Sequence, residues 1–159
     1  MLKMSRLTDY GTNVLAYLAG AGEEVHSANA VAEHTGLSPA TVSKVLKLLA
    51  RAGLVNAHRG AQGGYALARP AHEINASEVI DALEGPVALT ECAQVAGSCE
   101  LESTCLVGGA WQSINVAIRR ALSDISLAEL ATLEAGRPPQ VDLRAMVAAP
   151  GRTARLAQD

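Results

Sequence analysis

The sequence predicts a mainly α-helical fold carrying one small β-hairpin, and three observations point there. Apolar residues fill 49% of the 159 positions, yet aromatic residues only 3%, with no Phe and a single Trp, Trp111. A core made from Leu, Val, Ile and Ala favours helices packed on helices. Apolar positions recur at three- and four-residue spacing along most of the chain. Only around residues 54–67 does the pattern shorten to extended runs flanking glycines.

The elements follow in order. Leu7-Thr-Asp-Tyr opens the first helix, with Thr8 as the expected cap, Asp9 at the positive end of the dipole, and Tyr10, Val14, Leu15 and Leu18 on the apolar stripe. Gly20 and Gly22 end it. Ser27 caps a second helix in which Ala28, Val31 and Ala32 face inward, and Gly36 closes it. Ser38-Pro39, a cap with proline at the first helical position, starts a third helix with Val42, Val45, Leu46 and Leu49 on one face. Leu54–Ala57 and Tyr65–Leu67 then flank Arg59-Gly-Ala-Gln-Gly-Gly, a glycine-rich hairpin turn closed by Pro70. Ser77 is the expected cap of a short helix, Glu78–Leu83, ended by Gly85-Pro86. Residues 90–109 hold every cysteine among Gly, Ser, Thr and Glu, and read as an irregular loop. Trp111, Ile114, Ile118 and Leu122 form the apolar stripe of a further helix, and Ser126 caps a last short one, Leu127–Leu133. Residues 136–159 read as a tail, with a turn or two of helix around Leu143–Val147.

Composition bounds the function classes. Charged residues at 18% suit a soluble globular core and argue against a mostly disordered chain. No run approaches about 18 consecutive apolar residues, so no membrane span is expected. The start, Met1-Leu-Lys-Met-Ser-Arg-Leu, lacks the apolar run of a secretory signal, so the expected location is the cytoplasm, where the chain is made. The formal net charge of −3 hides a split. Residues 1–69 carry seven Lys or Arg against four acids, and residues 70–159 carry six against twelve. A basic front joined to an acidic remainder suits a polyanion binder with a separate control region.

The second and third helices, joined by the tight Gly36 turn, make a helix-turn-helix pattern, and the hairpin that follows fits a wing. A helix entering the major groove must be narrow at its leading end. Ser38, Ala40, Thr41 and Ser43 therefore suit base edges, while Lys44, Lys47 and Arg51 neutralise phosphates. At the wing tip Arg59 and Gln62 reach a neighbouring groove or phosphates, and Gly60, Gly63 and Gly64 permit close backbone approach. The implied partner is double-stranded DNA. No nucleophile–base pair is visible, and Gly60–Gly64 lacks the strand-to-helix context and the lysine of a phosphate-binding loop, so the chain does not read as an enzyme.

Cys92, Cys99 and Cys105 are spaced C-x6-C-x5-C. An odd count in a reducing compartment argues against a structural disulfide. A structural zinc site usually shows a short C-x2-4-C pair, which is absent. An iron–sulfur cluster needs four ligands, three of which this loop can wrap around it. Spacing leaves open a cluster, zinc, a cluster-free thiol switch and no function for the thiols; the rival in another class is a zinc- or iron-binding assembly protein that never touches DNA.

Taken together, the residues resemble the Rrf2 family of bacterial winged-helix iron–sulfur regulators, of the IscR and NsrR type and most like the branch that controls the SUF assembly system. The resemblance is carried by Arg6-Leu-Thr-Asp-Tyr-Gly, Gly36-Leu-Ser, Gly53-Leu-Val, Arg59-Gly-Ala-Gln-Gly-Gly-Tyr, the three-cysteine loop, Trp111-Gln-x-Ile-Asn and Ser126-Leu-Ala-Glu-Leu, and it runs from about residue 1 to 133. It implies a homodimer that binds an operator, with a winged helix-turn-helix domain over 1–85, a cluster-binding loop over 86–109, a dimerisation helix and short helix over 110–135, and a tail over 136–159. Trp111, Ile114, Ile118 and Leu122 would face the second subunit. Cys92, Cys99 and Cys105 would hold an iron–sulfur cluster, 2Fe–2S in preference to 4Fe–4S, whose state controls genes for cluster assembly. In some members a His three residues past the third cysteine completes the site, but here that position is Gly108. In nitric-oxide-sensing members a carboxylate from the other subunit's first helix serves, and Asp9 matches it. His26, His34, His58 and His72 are dispersed and are not expected as ligands.

Overall fold

The computed structural model describes residues 4–60, 62–88, 90 and 105–132. Among them lie helices α1 (Arg6–Gly20), α2 (Ala28–Thr35), α3 (Pro39–Arg51), α4 (Ala76–Glu84), α5 (Gly108–Ser123) and α6 (Leu127–Thr132). Strands β1 (Val55–His58) and β2 (Gly64–Leu67) pair antiparallel, with Val55 opposite Leu67 and His58 opposite Gly64. A 3-10 turn spans Ala71–Glu73. The expected helical fold with a two-stranded wing is present, and the tail over 136–159 lies outside the described residues.

The helix starts show local chemistry at work. Ser27 accepts the Ala30 N–H and Ser38 the Thr41 N–H, each at 3.2 Å. Ser126 accepts the Glu129 N–H while the Glu129 carboxylate takes the Ser126 N–H and hydroxyl, a reciprocal cap. Two caps differ from expectation. Ser5, not Thr8, caps α1, accepting the Leu7 N–H at 3.2 Å. Thr8 is buried and its hydroxyl donates to Glu84 of α4 instead. Asn75, not Ser77, caps α4, because Asn75 and Glu78 exchange two hydrogen bonds of 3.1 and 3.0 Å. Ser77 is buried one position into the helix.

The core gathers one face of each winged-domain helix. Val14, Leu15 and Leu18 of α1, Val31 of α2, and Val42, Val45, Leu46 and Leu49 of α3 are buried together with Ile74, Val79 and Leu127. A fully buried Leu or Val of this kind contributes about 1.5–3 kcal/mol. Gly11 lets α4 lie close, since a Cβ there would fall 2.3 Å from Leu83 Cδ1. The chain returns to this core after α5. The Leu127 N–H donates to the Ile74 carbonyl at 2.7 Å, the Ala76 N–H to the Ile125 carbonyl at 2.9 Å, and Leu127 is fully buried.

The wing is anchored by the linker between α1 and α2. His26 and Tyr65 exchange backbone hydrogen bonds of 2.9 and 2.8 Å, adding a one-residue third strand. Gly64 is required for that approach: a Cβ there would meet the His26 carbonyl oxygen at 2.4 Å.

Candidate nucleic-acid interface and cysteine segment

Helix α3 is split lengthwise. Val42, Val45, Leu46 and Leu49 are buried, while Ala40, Lys44, Lys47 and Arg51 are exposed and recur at helical spacing on the opposite face. That face extends about 16 Å from Ala40 to Arg51. Thr41 and Ser43 lie half-buried at its edge, and Ser38 is exposed at the tip. The Ser38 and Thr41 hydroxyls are 2.8 Å apart and serve the cap, leaving lone pairs for a further partner. Among the described residues, Lys44, Lys47, Arg51 and Arg59 enter no ion pair. Exposed cations without an acidic partner are what a phosphate backbone needs.

At the wing tip Arg59 and Gln62 are exposed. Gly63, expected to admit DNA, is half-buried, and the turn itself already uses its missing side chain. Its N–H donates to the Gly60 carbonyl at 2.9 Å, and a Cβ would sit 2.5 Å from the His58 carbonyl oxygen. Thus the glycines of the wing answer first to the protein's own backbone.

Of the expected ligands, Cys92 and Cys99 lie outside the described residues. Cys105 is exposed, in no disulfide, three residues before α5 begins. A Cβ at Gly108 would lie 3.7 Å from the Cys105 sulfur, and no histidine stands at that position in this chain. Asp9 is exposed on the first turn of α1 and lines a groove of about 470 Å³ between α1, α4, α6 and the end of α5. Met4, Val79, Leu122 and Ile125 make the groove largely apolar. No group of three His, Cys, Asp or Glu among the described residues is arranged for a metal. His26 instead pairs its Nδ1 with the Tyr17 hydroxyl at 3.0 Å, and the His34 ring lies 4.6 Å from that of Tyr17.

The stripe on α5 divides. Ile118 and Leu122 are half-buried, and between them Arg119 reaches α4. Trp111 and Ile114 remain 41% and 43% exposed, with Val107 and Val116 also open. The only α5 residue that is buried is Asn115.

Sequence reasoning missed the polar links at the end of α4. Asp81 accepts from both terminal nitrogens of Arg119, at 3.1 and 2.7 Å, and from the Val87 N–H at 3.2 Å. The Asp81 carboxylate, through its hydrogen bonds to Arg119, holds that guanidinium above its ordinary pKa. Glu84 accepts the Ser5 N–H at 2.7 Å and the Thr8 hydroxyl, and the Thr8 hydroxyl first, then Ser5, lowers its carboxyl below the usual value. Partners 38 and 76 or more positions away leave no trace in local pattern. The available signal was two carboxylates in the last turn of a helix, where the dipole disfavours them.

Comparison with known proteins places these features in a family. The profile of the Rrf2 family, described as an iron-dependent transcriptional regulator, matches residues 4–133. The chain is similar to the protein rrf2 of Nitratidesulfovibrio vulgaris, 32% identical over 130 residues that cover 81% of this chain and 87% of that one. Among solved structures it resembles CymR, the global cysteine regulator of B. subtilis, at 32% identity and a TM-score of 0.61, covering 82% of this chain and 97% of that one. It also resembles the IscR of T. potens, at 31% identity and a TM-score of 0.57, covering 81% and 85%.

Proposed function

The chain belongs to the Rrf2 family of transcriptional regulators, and from that premise we propose that it is a homodimeric DNA-binding regulator, working in the cytoplasm, whose grip on an operator follows the state of an iron–sulfur cluster. It is a regulator and not an enzyme. The observation that carries the DNA half is the α3 face: exposed Lys44, Lys47 and Arg51 without acidic partners among the described residues, behind a small-residue tip at Ser38, Thr41 and Ser43. Arg59, Gln62 and Gly63 extend that surface along the wing. No helix among the described residues is long and apolar enough to cross a membrane.

What supports the cluster is the chemistry of the donor set. Three cysteines within fourteen positions offer soft thiolates, and the one described, Cys105, is exposed and unbonded. Cys92, Cys99 and Cys105 would hold the cluster, with Asp9 of the partner subunit as the fourth ligand. The form proposed is 2Fe–2S in preference to 4Fe–4S; each takes four protein ligands. The cluster supplies a charge and redox state that changes with oxidant, nitric oxide or iron supply. This chain's own residues do the rest. The exposed Trp111 and Ile114, with the half-buried Ile118 and Leu122 further along the helix, would present α5 to the second copy, and that pairing would set two α3 helices near one turn of DNA apart, about 34 Å. Control of cluster-assembly genes is the matching task.

The likeness to CymR supports a second reading in which the cysteines respond without a cluster. Anaerobic purification separates the two. The cluster reading expects brown protein with iron and acid-labile sulfide, both lost in Cys99→Ala. Protein free of iron and sulfide after reconstitution contradicts it and favours bare thiols; bound zinc contradicts both.

A further inference from the structure

The last turn of α4 carries Asp81 and Glu84 and no basic residue, a placement the helix dipole disfavours. Both carboxylates are used to hold other parts of the chain. Glu84 takes the Ser5 N–H and the Thr8 hydroxyl, fixing the start of α1 beside Asp9. Asp81 holds Val87 on one side of the cysteine segment and Arg119 on the other. Its Oδ1 is shared, accepting from the Val87 N–H at 3.2 Å and from Arg119 Nη1 at 3.1 Å, while Oδ2 takes Arg119 Nη2 at 2.7 Å.

We infer that Asp81 is a positioning residue that couples the cysteine segment to α5, because the two-pronged Arg119 contact fixes the carboxylate plane and thereby the place of the oxygen that holds Val87. A planar guanidinium bound through two nitrogens leaves the carboxylate one orientation. If α5 shifts against α4, the carboxylate turns with Arg119 and Oδ1 leaves Val87. If the segment beyond Val87 is pulled, the strain reaches α5 through the same group. The side chains are 30% and 37% exposed, so the link is partly screened by water and of moderate strength. A two-state relay needs such a link, strong enough to bias and weak enough to release. As part of a sensor the inference rests on the cluster reading above; as a mechanical link it does not.

The test uses the full chain, reduced and metal-free, with amide hydrogen exchange read by NMR. Arg119 makes no hydrogen bond to Val87, yet Arg119→Gln is expected to speed exchange at the Val87 amide by roughly fivefold, with Arg119→Lys returning part of the protection. Unchanged Val87 exchange in a normally melting Arg119→Gln overturns the inference. A second arm uses a duplex selected by the native chain from a randomised pool. Asp81→Asn is expected to keep native iron and sulfide content while the affinity ratio between loaded and stripped protein falls toward one. A native-sized ratio in that variant overturns the inference. Native chain without iron would sink the cluster reading alone, and the exchange arm would still decide the link.

Discussion

Helices α3 and α5 have the same kind of amphipathic stripe, yet they meet opposite fates. In α3 the stripe Val42, Val45, Leu46 and Leu49 is fully buried by the chain's own helices. In α5 Trp111 and Ile114 stay 41% and 43% exposed, and the one buried residue is the polar Asn115. Periodicity therefore identifies an apolar face without saying whose surface covers it. The winged domain closes on itself, with Leu127 of α6 returning to its core, whereas the first half of α5 leaves an apolar face that suits a second copy.

That contrast is open to direct attack, and the largest effect belongs to the closed region. Leu46→Ala removes a fully buried side chain and is expected to cost about 2–5 kcal/mol in urea unfolding. Comparable destabilisation of an isolated subunit by Ile114→Ala would erase the distinction. On the open side, Ile114→Glu is expected to leave the winged domain folded but shift the chain to monomers in sedimentation, with operator affinity down at least about tenfold. Persistence of a native dimer would show that α5 is not the interface.

A smaller effect is expected from the polar face of α3. Lys47→Ala should weaken binding to all duplexes alike and lower the salt slope by about one, with no change in melting. A change confined to one sequence would make Lys47 a base reader instead.

The smallest concerns the junction of the two regions. Thr8 and Ser5 hold Glu84 below its ordinary carboxyl value of 4.5, so its ionised form is favoured on folding. The resulting stability is present above that value and is lost as pH falls through the lowered one. Glu84→Gln should therefore lower stability slightly at neutral pH, by a difference that shrinks as pH falls through the lowered value, which flattens the acid limb. An unaltered acid limb would show that the Glu84 contacts do not form in solution.

Legibility follows the reach of each interaction. Caps whose donors lie three residues away, Ser27, Ser38 and Ser126, were readable, as were the α3 faces and the wing. Thr8 was misplaced because its hydroxyl is taken by Glu84, 76 positions on. Ser77 lost to Asn75 because a reciprocal cap with Glu78 satisfies two N–H groups where a lone serine satisfies one, a pattern present in the sequence and missed. The need for glycine at 63 and 64 was legible, but its reason was not: His58 and His26 carbonyls crowd those positions only after folding. The Asp81–Arg119 contact spans 38 positions and has no local signature. Cys92 and Cys99 remain a reading of the sequence.

The most direct measurement is the affinity of the native chain for its selected duplex, loaded and stripped of iron and sulfide, at a single salt concentration. The account expects the two affinities to differ by tenfold or more, about 1.4 kcal/mol. Equal affinities, with iron and sulfide verified in the loaded sample, would contradict it.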